Sequence, residues 1–330
     1  MLTAHVQPTC PGSARRFNRK ILLLTGLLAF GNAAAAHADD AVHKIGVTVG
    51  SLGNPFFIAT IKGITQQARA LAPTVPVQTA SADYDIGKQS SQVDSFIAAG
   101  NDLVMFNAVD YRAAAPLVRR MHASGATVVA FDVGAPGADA TVTTNNVKAG
   151  EIACQYIVDR LHGRGDVVIV NGPPVTALTD RVQGCQSVFA KAPGINLLSS
   201  NLDAKGSRDG GLAVGQSVLV RFPKVDAMFA VNDPTAMGVE LAARQAGRHE
   251  FFLTSVDGSP DVEQEMRRGN TLIAATASQD PFAIATTATR VGFDIRAGRI
   301  KPGVVRLLDP SLITQDTIGS YRGWNAQHNT

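Results

Sequence analysis

From His43 onward the chain repeats one unit: a short apolar run followed by a helix-length amphipathic stretch. It does so in two series. The first series has "KIGVTVG", "VPVQTA", "DLVMFNA" and "TVVAFDV", with helical stretches at Phe56 to Leu71, Ile86 to Ala99 and Arg112 to Ser124. The second has "DVVIVNG", "INLLSS", "DAMFAVND", "FFLTSVDG" and "TLIAATASQ", with helices over Asp180 to Lys191, Arg208 to Phe222, Pro234 to Ala246 and Pro260 to Arg268. The runs are continuously apolar, as strands buried on both faces are. Regular alternation of strand and helix predicts α/β architecture built on doubly wound parallel sheets.

The two series look like copies. Asn107 and Asp132 end successive strands 25 residues apart, and Asn232 and Asp257 do the same in the second half. Self-similarity at this length predicts two similar lobes rather than a solenoid. Open α/β sheets bind ligands at the carboxyl ends of their strands. Two such lobes, face to face, would aim Asn54, Asn107 and Asp132 at Arg181, Asn232 and Asp257. Any one of these side chains also suits a helix N-cap or a turn; the matched spacing is what favours a shared cleft.

The first 38 residues read as a signal peptide: a basic stretch (Arg15, Arg16, Arg19, Lys20), the apolar "ILLLTGLLAF", then "AHA", with cleavage expected before Asp39. Ten apolar residues are about half of what spans a bilayer. This segment carries four of the 30 basic residues and none of the 27 acidic ones, so the mature chain has 26 against 27, a formal net charge of −1. The positive charge of the whole chain is therefore no argument for nucleic acid. Cys10 leaves with the signal. Cys154 and Cys185 remain, and two thiols in an oxidising compartment suggest a disulfide.

Signs of catalysis are missing from the sequence. The seven histidines form no HxH or HxxxH pair, and no GxSxG elbow, GxGxxG or P-loop is present, so no metal or nucleotide cofactor is expected. The strand ends offer amides, carboxylates and a guanidinium without a nucleophile beside them. "NPFF" (Asn54 to Phe57) adds two phenyl rings where a phosphate loop would need bare backbone. Such a set suits a small polyhydroxyl ligand, with carboxylates accepting from hydroxyls and rings covering C–H faces.

With these landmarks the chain resembles the periplasmic sugar-binding proteins of the ribose-binding type, the extracellular components of ABC importers. The resemblance runs over about Lys44 to Thr314 and rests on "NPFF", the strand-ending Asn and Asp, "DRVQGC" opening a helix, "FAVND", "VDGSPD" and the Gln of "TASQDP". It implies a periplasmic binding protein class I-like fold whose lobes are joined by a three-crossing hinge. One lobe would be 43–144 plus 281–308 and the other 145–280 plus 309–330. It also implies ligand contacts from Asn54, Phe56, Phe57, Asn107, Asp132, Arg181, Asn232, Asp257 and Gln279, an inner-membrane ABC permease as partner with a chemoreceptor as a further one, and a monomer. Three positions depart from the ribose pattern: Val133 stands for an Arg, Val256 for a Phe, and "AKGSRDG" lacks an aromatic. Lost donors and rings change which sugar fits, so another pentose, a hexose, a polyol or a furanosyl compound are all open. The chain continues past the family's usual end with "YRGWNAQHNT", whose Trp324 is expected to pack on the surface.

The leading expectation is a non-enzymatic solute-binding protein of the periplasm. A sensor presenting sugar to a receptor kinase is the alternative. A LacI-like regulator would need a helix-turn-helix where the signal sits, and a secreted enzyme would need a nucleophile and base.

Overall fold

The computed structural model describes residues 41–326; the expected signal segment with its cleavage point and Cys10, and the last four residues, lie outside the described residues. The first sheet has the order β11-β5-β4-β3-β1-β2, built from β1 (Ile45–Val49), β2 (Val77–Ser81), β3 (Leu103–Phe106), β4 (Thr127–Phe131), β5 (Ala140–Thr144) and β11 (Val304–Leu308), with neighbouring strands parallel throughout. The second, β12-β10-β9-β8-β6-β7, comprises β6 (Arg164–Asn171), β7 (Gly194–Asp203), β8 (Ala227–Ala230), β9 (Phe252–Asp257), β10 (Ile273–Ser278) and β12 (Ser311–Thr314). Only its edge differs in kind, because β12 runs antiparallel to β10. The central strands are fully buried apolar runs, such as Leu103–Phe106 and Ala227–Ala230, which is why they read as continuous rather than alternating.

Helices cover both faces of each sheet. On the first, α1 (Pro55–Leu71) and α9 (Pro281–Arg296) pack together with β1, β4 and β5 around Ile64, Met105, Phe131 and Ile284. On its other face lie α2 (Ile86–Ala98) and α3 (Ala114–Ala123), with Phe96, Phe106 and Met121 in the core. On the second sheet α4 (Asn146–Arg160) and α5 (Thr176–Phe189) enclose Ile157, Ile169 and Phe229. Opposite them, α6 (Arg208–Arg221), α7 (Asp233–Ala246) and α8 (Pro260–Arg268) enclose Val218, Val239 and Met266. The chain passes from one sheet to the other after β5, after β10 and after β11. Among the described residues no helix is long and apolar enough to cross a membrane.

Local chemistry sets the helix starts. Asn54 caps α1, its side chain accepting from Phe56 N with Pro55 in the first turn; Asn232 caps α7 in the same way through Thr235 N; and Asp85 caps α2 through Lys88 N. Cys154 on α4 and Cys185 on α5 form a disulfide with Cα atoms 5.1 Å apart. Two expectations are corrected here. "DRVQGC" does not open a helix: α5 begins at Thr176, after an extended Val175, so Asp180 and Arg181 lie in its second turn. The third helix starts at Ala114, two residues later than read, because Tyr111 and Arg112 belong to the turn before it.

Candidate ligand-binding site

In both sheets the strand order reverses beside the first strand, between β1 and β3 and between β6 and β8. Such a reversal opens a crevice at the carboxyl ends of the strands, because the flanking connections leave in opposite directions. The two crevices face one another across a pocket of about 550 Å³, solvent at its mouth included. Asn54, Phe56, Phe57, Asn107, Asp132, Arg181, Asn232, Asp257 and Gln279, all expected from the sequence, line this one pocket.

In the first lobe Asn107 and Asp132 are locked together. Asn107 Nδ2 donates to Asp132 Oδ2 (2.9 Å) and to Phe131 O (3.2 Å), and Asn107 Oδ1 accepts from Gly50 N (3.1 Å). Buried Gln89 fixes the same corner by donating to Asn107 O and accepting from Val109 N. Burial pushes the Asp132 carboxyl up to about 6, against the pull of Arg181 and of the Asn107 hydrogen bond. Phe56 and Phe57 pack edge to face, 5.5 Å between centroids, and are almost wholly buried, so they present ring edges and faces from a fixed wall.

The second lobe carries the charged network. Arg181, 2% exposed, donates from Nε to Asn146 Oδ1 (2.8 Å) and from Nη1 to Val231 O (2.8 Å) and Asp257 Oδ1 (3.3 Å). Gln279 Nε2 donates to the same Asp257 oxygen (2.6 Å), while Gln279 Oε1 accepts from Thr144 Oγ1 (2.7 Å), tying the pocket floor to the first lobe. Burial raises Asp257 well above the usual carboxylate range against the pull of Arg181, and the neighbouring Asp233 adds to the rise. Asp233 is itself fully buried and accepts from Ser255 Oγ, Thr276 Oγ1 and Ser259 N, which pins the ends of β9 and β10. Asn232 uses its oxygen as the α7 cap and its Nδ2 to hold Gly206 O (2.9 Å). The choice between cap and cleft residue therefore dissolves at Asn54 and Asn232, which do both.

Asp132 and Asp257 share another property. Both have positive φ, 64° and 140°. Non-glycine residues adopt such backbone only where the surroundings hold them, and strain of this kind concentrates at functional sites.

Sequence reading missed Tyr84, Pro173, Val175, Leu178 and Lys205, which also line the pocket. Tyr84 is a third ring at the cleft, 43% exposed as a residue; partial removal of its phenol from water pushes it up to about 12, against a side-chain hydrogen bond with Asn54. The signal for it was the repeat itself. After β2, Asp83 and Tyr84 have φ of 50° and 58°; after β7, Lys205 and Gly206 have 57° and 60°. The same turn reaches the pocket from both lobes. Val133 lines the pocket as expected, but Val256 does not: it is fully buried beneath α4 and α5. Trp324 overturns the expectation of a surface tail. It is 6% exposed, packed edge to face on Phe56 at 6.0 Å. Among the described residues no cluster of three or more His, Cys, Asp or Glu is placed to hold a metal ion.

Two facing α/β lobes around a cleft of amides, carboxylates, a guanidinium and rings define a two-lobed ligand-binding protein. The periplasmic binding protein domain model matches residues 45–300. The ribose import binding protein RbsB of Bacillus subtilis is 30% identical over 259 residues, 77% of this chain and 82% of that protein. Among solved structures, the Caulobacter myo-inositol binding protein bound to myo-inositol superposes with TM-score 0.76 at 26% identity, covering 84% of this chain and 95% of that one. The fructose binding periplasmic domain of a hybrid two component system superposes at 0.78 and 25% identity, covering 84% and 92%. The chain belongs to the periplasmic binding protein family and, within it, to the sugar-binding proteins of the ribose-binding type.

Proposed function

We propose that the protein captures a monosaccharide or polyol between its lobes in the periplasm and delivers it, without chemical change, to an ABC permease. The observation that carries this is the pairing of buried hydrogen-bonding groups from both lobes across one pocket beside fixed aromatic rings. Asp132 and Asp257 accept from sugar hydroxyls. Arg181, Asn54, Asn107, Asn232 and Gln279 fix the orientation of the ring, and Phe56, Phe57 and Tyr84 cover its C–H faces. The named ligands of the relatives, ribose and myo-inositol, support a polyhydroxyl class. Delivery to an importer is supported by the ribose import relative. In this reading the protein acts as a monomer without a cofactor, after removal of residues 1–38.

The test is a thermal-shift screen of the mature protein against D-ribose, D-allose, xylitol, D-apiose and myo-inositol. A ligand at 100 times its dissociation constant adds about 2.7 kcal/mol of stability. A clear rise in Tm with at least one of them is expected; no rise with any overturns the reading.

Binding should also depend on pH through Asp132. Its carboxyl, protonated up to about 6 in the ligand-free fold, adds stability that is full near the pH of an ordinary aspartate and is lost as pH rises through about 6. Sugar hydroxyls donate to the ionised form and reverse that preference, so binding releases a proton below pH 6. Asp132 by itself is expected to make the affinity about tenfold weaker at pH 5 than at pH 7.5, and Asp257, raised further by burial, weakens it in the same direction. Calorimetry in two buffers of different ionisation enthalpy checks it; a pH-independent affinity overturns it.

One observation favours a second reading. The fructose binding relative is the periplasmic domain of a two component system. A sensor presenting sugar to a receptor kinase or chemoreceptor would use the same pocket. Co-purification with a permease, as against a kinase, separates the two.

A further inference from the structure

The segment after β12 belongs structurally to the second lobe. Ile318 sits in the core under α6, α7 and α8; Tyr321 Oη donates to Gly258 O (2.8 Å), and Arg267 Nη2 donates to Tyr321 O (2.7 Å). The chain then turns at Gly323 into α10 (Gly323–Ala326). Gly323 has φ 65°, and a Cβ there would lie 2.3 Å from Glu263 Oε2, so only glycine makes this turn without displacement. The turn delivers Trp324 to the other lobe. Its ring joins the cluster formed by Phe56, Ile284 and Ala285, while its Nε1 donates to Asp257 O (3.1 Å).

One side chain thus touches, from behind, a pocket residue of each lobe: the ring of Phe56 and the backbone of Asp257. Asp257 stands at φ 140°, and its carbonyl is held by Trp324 and by Gln279 N (2.9 Å). A strained corner keeps its geometry only while such contacts over-determine it. Trp324 follows a segment packed on the second lobe and Phe56 opens α1 of the first, so their contact spans the two lobes.

We propose that Trp324 is a positioning residue for the ligand site, one that braces Asp257 and Phe56 in the closed state and thereby sets how long the ligand stays bound. The inference rests on the sugar-binding reading above. Trp324 acts after the ligand has entered, so it governs dissociation rather than encounter.

Trp324 is the only tryptophan of the chain, so its fluorescence reports its own environment. Each of D-ribose, D-allose, xylitol, D-apiose and myo-inositol is titrated into the mature protein, with Tm and tryptophan emission read in parallel. In this reading the free protein also populates a state with the lobes apart, so a sugar that raises Tm is expected to shift the emission to shorter wavelength as it draws the molecules into the closed arrangement in which the indole is docked on Phe56. With that sugar in radiolabelled form, rapid-filtration kinetics, which need no tryptophan signal, should find Trp324→Ala about tenfold faster in dissociation with association within about twofold. Trp324→Phe, which keeps the ring and loses the N–H, should fall between, and serves in its place where the alanine variant fails to fold. Unchanged emission upon a Tm rise, or dissociation of both variants within twofold of the parent, overturns the role of Trp324 while leaving sugar binding standing. A set in which no sugar raises Tm overturns the binding reading itself and this inference with it.

Discussion

Replacing Asp132 or Asp257 by alanine is expected to abolish sugar binding while leaving the protein folded. In the proposed function each carboxylate accepts hydrogen bonds from both the scaffold and the ligand. Asp132 is held by Asn107 Nδ2, and Asp257 by Arg181 Nη1, Gln279 Nε2 and Asp233 N. A carboxylate accepting two ligand hydroxyls makes two hydrogen bonds to a charged group, each worth about 1.5–3 kcal/mol. Their loss weakens binding by about two to four orders of magnitude. The two variants should differ in stability. Asp132→Ala removes a buried carboxyl whose ionisation the fold opposes, and it strands one amide proton of Asn107. Asp257→Ala also removes a carboxyl raised by burial, but it leaves the buried guanidinium of Arg181 with only Asn146 Oδ1 and Val231 O, and such an uncompensated buried charge is the costlier loss. Calorimetric titration together with a melting curve checks both parts. Near-parent affinity in both variants would sink the proposed cleft.

Gly150→Ala is expected to damage both fold and site. Where α4 crosses α5 the backbones touch: a Cβ on Gly150 would lie 1.9 Å from Arg181 O, and one on Gly184 2.1 Å from Val147 O. The neighbouring atoms are main chain, so nothing can rotate away, and the Cys154–Cys185 bond ties the same two helices together. The helices must separate, losing the packing around Ile157 and Phe229. Overpacking of this kind costs about 1–3 kcal/mol and more where backbone must move. For a chain of this size that is a fall in Tm of about 2–5 °C, and more where the backbone moves. Arg181 rides on α5, so the guanidinium leaves its place between Asn146 and Asp257, and sugar affinity falls as well. Gly319→Ala is the control, an exposed site where a Cβ meets nothing within 4 Å. A Gly150→Ala protein melting within a degree of the parent would refute the close crossing.

What could be read from the chain is what local pattern encodes. Continuous apolar runs and 3.6-residue periodicity mark β1, β3, β4, β8 and β9 and the helices between them, because burial on both faces leaves no polar position in such a strand. The equal spacing of Asn107 to Asp132 and of Asn232 to Asp257 is a consequence of one βα unit repeated, so it located these strand ends before any coordinates did. The start of α5 was misplaced because no capping side chain marks it: Val175 precedes the helix without a side-chain bond. The strands β5, β11 and β12, at a sheet edge or next to one, went unread, being short, partly exposed and without a full apolar run.

The sequence by itself determined the doubly wound α/β class, the two-fold repetition and the chemistry gathered at the strand ends, since each follows from residues near one another in the chain. The tertiary structure alone decided which further groups reach the pocket and what supports them. It brought in Tyr84 through a left-handed turn, withdrew Val256 into the core, and set Gly150 against Arg181 O. It also carried Trp324 across to Phe56, 268 residues away in sequence. Such contacts depend on how distant segments are docked by packing, and no local periodicity encodes that distance.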